Sequence, residues 1–140
     1  MTGSVPFAIR GLDHVVLRVR DVTRVERFYR EVIGCGLERR QERFGLTQLR
    51  AGASLIDLVD VAGEIGRGGG SAPGAEGRNM EHFCLRIDPF DPDAVARHLR
   101  AHGIEPGETA SRFGADGQGP SIYLEDPEGN RVELKGPPFE

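Results

Sequence analysis

A short motif near the N-terminus recurs 68 residues later, from His14 to His82. Asp13-His14-Val15-Val16-Leu17-Arg18-Val19 is answered by Glu81-His82-Phe83-Cys84-Leu85-Arg86-Ile87, with an acid, a histidine, a leucine and an arginine at matching places. A second pair closes each copy, Leu55-Ile56-Asp57-Leu58 against Arg131-Val132-Glu133-Leu134, at an offset of 76 from Asp57 to Glu133. Two copies are too few for a solenoid, whose repeats need several neighbours to bury their faces. A duplication of this kind predicts two modules packed about a pseudo-twofold axis, with helices on one face of each sheet and a cleft lined by the other.

Each copy reads β-α-β-β-β. In the first, an alternating strand over Leu12–Val19 leads into Asp21, a helix N-cap. Val25, Phe28, Tyr29, Val32 and Ile33 then follow at helical spacing, and Gly34 ends the helix. Short strands are expected at about 36–43, 45–51 and 53–61. In the second, a strand at 81–88 precedes Asp91-Pro92, an N-cap with proline at the first helical position. That helix turns Val95, Leu99 and His98 inward and closes at Gly103. Strands follow at about 104–112, 120–125 and 131–136, the last two joined by the tight turn Asp126-Pro127-Glu128-Gly129-Asn130. Between the copies, residues 62–79 hold seven glycines from Gly63 to Gly77 and no periodic apolar pattern, so they read as a mobile linker. The expected class is α+β. A single domain over 1–140 is built of module 1 (about 11–61), the linker (about 62–79) and module 2 (about 80–136). Mixed, mainly antiparallel sheets surround the cleft.

Composition removes several function classes. The net charge of −4 argues against nucleic acid as the main partner, because phosphate contacts need a basic surplus. The 18 basic residues include one lysine, Lys135, and none follows the glycine stretch Gly66–Gly70, so no phosphate-binding P-loop is present. No apolar run has the length of a membrane span or a secretory leader, and Cys35 and Cys84 have no paired metal spacing. The expectation is a cytoplasmic protein with reduced thiols that acts on a small molecule, without nucleic acid or membrane partners.

Strand parity sorts the remaining candidates. Val15, Leu17 and Val19 face the first helix, so His14, Val16 and Arg18 face away; in the same way His82, Cys84 and Arg86 face away from the second helix. Asp57 and Glu133 fall on that helix-free face too. Two histidines and two carboxylates, paired by repeat position, make a ligand set for one borderline divalent ion per site: Zn, Fe, Mn, Co or Ni. The competing reading is polar decoration of a wet sheet face. The other two histidines, His98 and His102, stand at i and i+4 without the His-Glu-x-x-His motif and read as a structural pair.

These stretches resemble the vicinal oxygen chelate superfamily, which includes glyoxalase I, methylmalonyl-CoA epimerase, extradiol dioxygenases, fosfomycin-resistance thiol transferases and bleomycin-resistance proteins. Three stretches carry the resemblance. They are Leu12–Leu17 with Asp21 and Arg27–Gly34, then Met80–Leu85, and then Ser121–Asn130 running on to Val132-Glu133-Leu134. The resemblance implies a metal held by His14, His82 and Glu133, with Asp57 at the place of a fourth ligand that is longer in the relatives. It implies that Glu133 or Asp57 moves a proton beside the metal, and that Arg18 meets a substrate carboxylate. Ser121 and Tyr123 are similar to the Ser-x-Tyr strand of the fosfomycin-resistance enzymes. Cys84 is a further, weaker substrate contact. For Arg18 the alternative is a solvent-facing charge, for Tyr123 a plain wall residue, and for Cys84 a passive small side chain.

The implied activity is that of a glyoxalase-like lyase or isomerase acting on a small anionic substrate with two vicinal oxygens. Two alternatives stay open: a dioxygenase or thiol transferase, and a metal-free binding or resistance protein. The resemblance also implies a homodimer, with each cleft built either within one chain or across two.

Overall fold

In a computed structural model, which describes residues 5–139, each copy of the repeat folds into one four-stranded sheet with one helix against it. The first contains β1 (His14–Val19), α1 (Val22–Phe28), β2 (Gly36–Gln41), β3 (Leu46–Ala51) and β4 (Ser54–Asp60). The second contains β5 (Phe83–Arg86), α2 (Pro92–Ala101), β6 (Ala110–Gly114), β7 (Gly117–Glu125) and β8 (Arg131–Lys135). Strand order is β1-β4-β3-β2 in one sheet and β5-β8-β7-β6 in the other. First and last strands of each copy lie parallel, and every other pairing is antiparallel. These mixed, mainly antiparallel sheets are the α+β architecture that the duplication predicts.

The helix starts follow their caps. Asp21 Oδ1 accepts from the Arg24 amide, and Asp91 Oδ1 accepts from the Asp93 and Ala94 amides with Pro92 at the head of α2. The first helix differs from its expected course. It is α-helical to Phe28 and then widens into a π turn over Tyr29–Ile33, ended by Gly34 at φ 93°. The wider turn breaks the i, i+3, i+4 spacing, so Tyr29 is fully buried while Val32 and Ile33 are only partly covered. β6 also lies later than the expected 104–112. Residues before it run irregularly along β7, where the Gly107 amide donates to the Tyr123 carbonyl at 2.8 Å. A Cβ at Gly107 would stand 3.1 Å from that oxygen.

One core serves both copies. Leu17, Val19, Val25, Tyr29, Leu49, Ile56 and Leu58 of the first pack in one cluster with Leu99, Ile122, Leu124, Val132 and Leu134 of the second. At the seam the fully buried Tyr29 hydroxyl donates to Asp126 Oδ2 at 2.8 Å. Asp126 also accepts from the amides of Glu128 and Asn130 and from Asn130 Nδ2, so one carboxylate closes the turn and receives the other module. Glu128 in that turn accepts from the amides of Arg20 and Asp21. Asn79 bridges the backbone of Arg18 to the side chain of Asn130.

Segment 62–79 carries one 3-10 turn, Gly66–Gly69, and one isolated bridge between Gly74 and Gly77. Arg18 fastens it to β1. Its Nε donates to the Gly66 carbonyl at 2.7 Å and Nη2 to Gly70 at 2.6 Å, while Nη1 donates to Gly69 and Ser71. Two of the glycines are needed for this approach. A Cβ at Gly66 would stand 2.0 Å from the Asp60 carbonyl, and one at Gly69 would stand 2.6 Å from the Arg18 guanidinium carbon.

Two outcomes are expected from these contacts. Tyr29→Phe keeps the ring but removes a buried donor from the Asp126 side chain, so urea unfolding should show a loss of about 2 kcal/mol with an unchanged m value. Arg18→Ala removes four donated bonds, so amide exchange across 66–71 should accelerate by about tenfold or more, while exchange in β3 and β7 stays near that of the parent.

Candidate functional site

Parallel pairing brings the repeated polar residues together. Val16 lies opposite Asp57 in the β1–β4 pair, and Cys84 lies opposite Glu133 in the β5–β8 pair. Partners in register point to the same side, so each carboxylate sits on the helix-free face beside the start of the opening strand. There His14 Nε2 lies 3.9 Å from Asp57 Oδ2, and His82 Nε2 lies 3.2 Å from Glu133 Oε1. In both pairs the carboxylate is buried, at 7% and 8% side-chain exposure, and the imidazole is open to solvent at 45% and 31%.

The acid before each histidine completes the arrangement. Asp13 Oδ1 meets His14 Nδ1 at 2.8 Å, and Glu81 Oε1 holds His82 Nδ1. With Nδ1 bound to a carboxylate, the ring is fixed and Nε2 is left facing Asp57 or Glu133. The Asp13 hydrogen bond, then the Asp57 charge, hold the His14 imidazolium above its usual range. The hydrogen bond to His82 holds Glu81 below the usual carboxylate range, and Arg131 adds to it through a bond of 2.8 Å to Glu81 Oε2. The acid-His dipeptide was visible in the sequence as part of the repeat, but its orienting role was not.

Gln48, Arg112 and Arg131 join the site without a sequence signal, beside the expected Tyr123, Ser121 and Cys84. Gln48, directly across from Asp57, donates from Nε2 to both carboxylate oxygens at 3.2 Å each. The equivalent place in the second sheet, opposite Glu133, belongs to Tyr123. The Tyr123 ring meets His82 edge-on at 5.3 Å and lies between the guanidinium groups of Arg131 at 4.1 Å and Arg112 at 4.6 Å. Partial burial, then the neighbouring Glu133 carboxylate, raise its phenol above the ordinary value. Ser121 is fully buried on the same face, with Arg112 Nη1 donating to its hydroxyl at 2.9 Å. Cys84 keeps an exposed edge, yet loss of water around its sulfur and the adjacent Glu133 push the thiol up to about 11, so at neutral pH it stays protonated. Arg18 faces the same side as His14, but its guanidinium is engaged by the four carbonyls of residues 66, 69, 70 and 71. His98 is exposed rather than turned inward. Its Nε2 meets the Val32 carbonyl at 2.7 Å, and its ring packs on His102 at 4.8 Å.

The two pairs remain two pairs. Among the described residues no three histidine, cysteine, aspartate or glutamate side chains gather closely enough to hold one ion. The shared core explains this. Both sheets spend their helix-covered faces on it, and the His14–Asp57 and His82–Glu133 pairs lie on the opposite, helix-free faces. No helix among the described residues is long and apolar enough to cross a membrane.

Comparison with known proteins agrees with this architecture. The chain is 33% identical over 134 residues to the virulence protein STM3117 of Salmonella typhimurium, covering 94% of this chain and 87% of that protein. The crystal structure of that protein superposes with a TM-score of 0.75, covering 94% of this chain and 99% of the other. The glyoxalase domain-containing protein RDO1 of Mycosarcoma maydis is 31% identical over 129 residues, covering 91% of this chain and 68% of that protein. A lactoylglutathione lyase from Agrobacterium tumefaciens shares the fold at a TM-score of 0.67 and 24% identity, with 91% and 94% of the two chains covered. Residues 11–134 match the family profile itself, and the chain belongs to the Glyoxalase/Bleomycin resistance protein/Dioxygenase superfamily.

Proposed function

We propose that this protein is a divalent-metal-dependent enzyme of the glyoxalase-like lyase or isomerase type, acting on a small anionic substrate with two vicinal oxygens. We further propose that it works as a homodimer whose sites are shared, His14 and Asp57 coming from one chain and His82 and Glu133 from the other. One observation carries this reading: the same oriented pair, an imidazole Nε2 beside a buried carboxylate, occurs once on each helix-free face. Each pair is half of a four-ligand set, and facing two copies supplies the other half.

The donors fit a borderline divalent ion. Imidazole nitrogen and carboxylate oxygen are its preferred ligands, and both rings already have the acid partner at Nδ1 that metal-binding histidines use. Zn, Ni, Fe, Mn and Co all satisfy this chemistry. The edges favour a second copy as the occupant. β1 and β5 are the outer strands of their sheets, and Val16 on β1, with Leu12 and Ile9 just before it, is exposed at 42%, 81% and 87%. Unpaired strand edges beside exposed apolar side chains are covered by association.

An ion held by these ligands would polarise the carbonyl of a substrate with two vicinal oxygens and so acidify the carbon next to that carbonyl. The proton then needs a carboxylate. Gln48 occupies both oxygens of Asp57, which makes Asp57 a held ligand and leaves Glu133 as the group that accepts the proton and returns it to the adjacent carbon. Tyr123 walls the Glu133 side, and Ser121 lies one step deeper on the same strand.

Mixing variants tests the shared site. His14→Ala and His82→Ala homodimers should each lose most bound metal by elemental analysis. Chains of both kinds, unfolded and refolded together, should recover roughly a quarter of the parent's metal sites, because half of the dimers then contain one intact site. A metal-loaded monomer by sedimentation would refute the shared arrangement. For the reaction, product formation from methylglyoxal plus a thiol is expected, against oxygen uptake with catechols. Glu133→Gln should retain much of the metal and lose turnover, since an amide oxygen coordinates but does not take up the proton.

A further inference from the structure

Lys135 is the single lysine of the chain, and it lies on the face of Glu133, two residues farther along β8, about 7 Å at the rise of a strand. It is 4% exposed, and its Nζ is the one buried side-chain polar atom among the described residues that has no hydrogen-bond partner. A buried ammonium without a partner costs stability. The sheet nevertheless leaves a path for it. The stem crosses Gly119 of β7 and Gly114 of β6, where a Cβ would stand 2.9 Å from Nζ and 2.6 Å from Cε respectively.

The Pro137 carbonyl lies beside Gly119 at the end of that path, and the side chains of Ser121 and Arg86 that flank it are donors. Ser121, opposite Lys135 in register, is fully buried, and its hydroxyl already accepts from Arg112 and so has its own proton to give. Arg86, the partner of Lys135 on the other side, reaches across the face to Asp116 in the β6–β7 turn. Asp116 is the carboxylate that this cationic patch engages.

We propose that Lys135, Arg86, Arg112 and Ser121 form an oxyanion subsite that receives the acidic group of the substrate, and that the anion displaces Asp116 from Arg86 as it enters. The inference deepens the proposed function, since that group belongs to the molecule whose other oxygens meet the metal. It makes the substrate a bifunctional small molecule, with vicinal oxygens at one end and a carboxylate or a phosphate-type group a few bonds away. Oxyanions of either kind match one ammonium, two guanidinium groups and a hydroxyl.

A single lysine makes the test direct. In chelator-treated, metal-free protein, the ammonium region of a 1H–15N spectrum has one lysine signal to follow during titration with inorganic phosphate and, separately, acetate. At least one anion should move that signal saturably and raise the melting temperature; the tighter of the two distinguishes a phosphate-type from a carboxylate substrate. Lys135→Gln should weaken that binding at least tenfold by calorimetry, while raising the melting temperature of the anion-free protein. Asp116→Asn, a change at an exposed turn, should tighten it several-fold. No shift with either anion, or unchanged affinity in Lys135→Gln, would overturn the subsite. Metal binding measured on the same samples separates the two readings. Anion binding with no metal affinity overturns the metal assignment alone, and metal binding with no anion response overturns the subsite alone.

Discussion

The geometry of both histidine–carboxylate pairs depends on the parallel pairing of the first and last strands of each module. Because β1 lies beside β4 and β5 beside β8 in equivalent registers, Val16 meets Asp57 and Cys84 meets Glu133. The histidine at the start of β1, and the one just before β5, then reach the carboxylate from two residues away. A slip of one residue in β4 or β8 would exchange Asp57 for Ile56, or Glu133 for Val132, and drive a carboxylate into the core. That change would cost several kcal/mol for each unpaired buried charge. The alternation of apolar and polar residues in β8 therefore fixes the fold and the placement of Glu133 together.

The shared core has a second consequence. Joining the helix-covered faces of both sheets into one cluster stabilises the monomer and leaves the polar pairs on the faces that the core does not use. The molecule consequently carries two separate histidine–carboxylate pairs, each beside an edge strand, β1 or β5. In the proposed dimer one association event covers the apolar edge of β1 and completes both sets, so assembly and activity become inseparable. The Asp126 turn ties the two modules at the seam through Tyr29, and Glu128 ties it to the start of α1. These hydrogen bonds link the two modules, as the proposed shared site requires.

Among the described residues the buried polar side chains other than Lys135 are satisfied. Glu26, 7% exposed, accepts from Arg30 and Arg40, and Asp126 and Asn130 bond each other and the backbone. Lys135 is the exception, on the face that also carries His82 and Glu133. A sequence that satisfies its other buried polar groups but leaves one ammonium unpaired beside a candidate site departs from stability where binding would recover it.

Much of this was legible in the sequence because a duplication records its own symmetry. The repeat gave the module count, the βαβββ order and the four residues His14, His82, Asp57 and Glu133 on one kind of face, since strand parity is a property of sequence position alone. Other features were decided by packing. The π turn at Tyr29–Ile33 accompanies the contact of Tyr29 with Asp126 of the second module, and the later position of β6 accompanies the run of Gly107 along β7, neither of which a local pattern records. Gln48 holds Asp57, and Arg18 is drawn to the carbonyls of residues 66–71 rather than to open solvent, because of cross-strand and loop neighbours. The pairing of acid with histidine at Asp13 and Glu81 was written in the repeat, yet its purpose appeared only with the ring geometry. Sequence position determined which side of a sheet each group occupies, because the pleat has a period of two. Only the tertiary structure decided which groups meet, because that depends on how two sheets share one core and on the faces that sharing leaves outside.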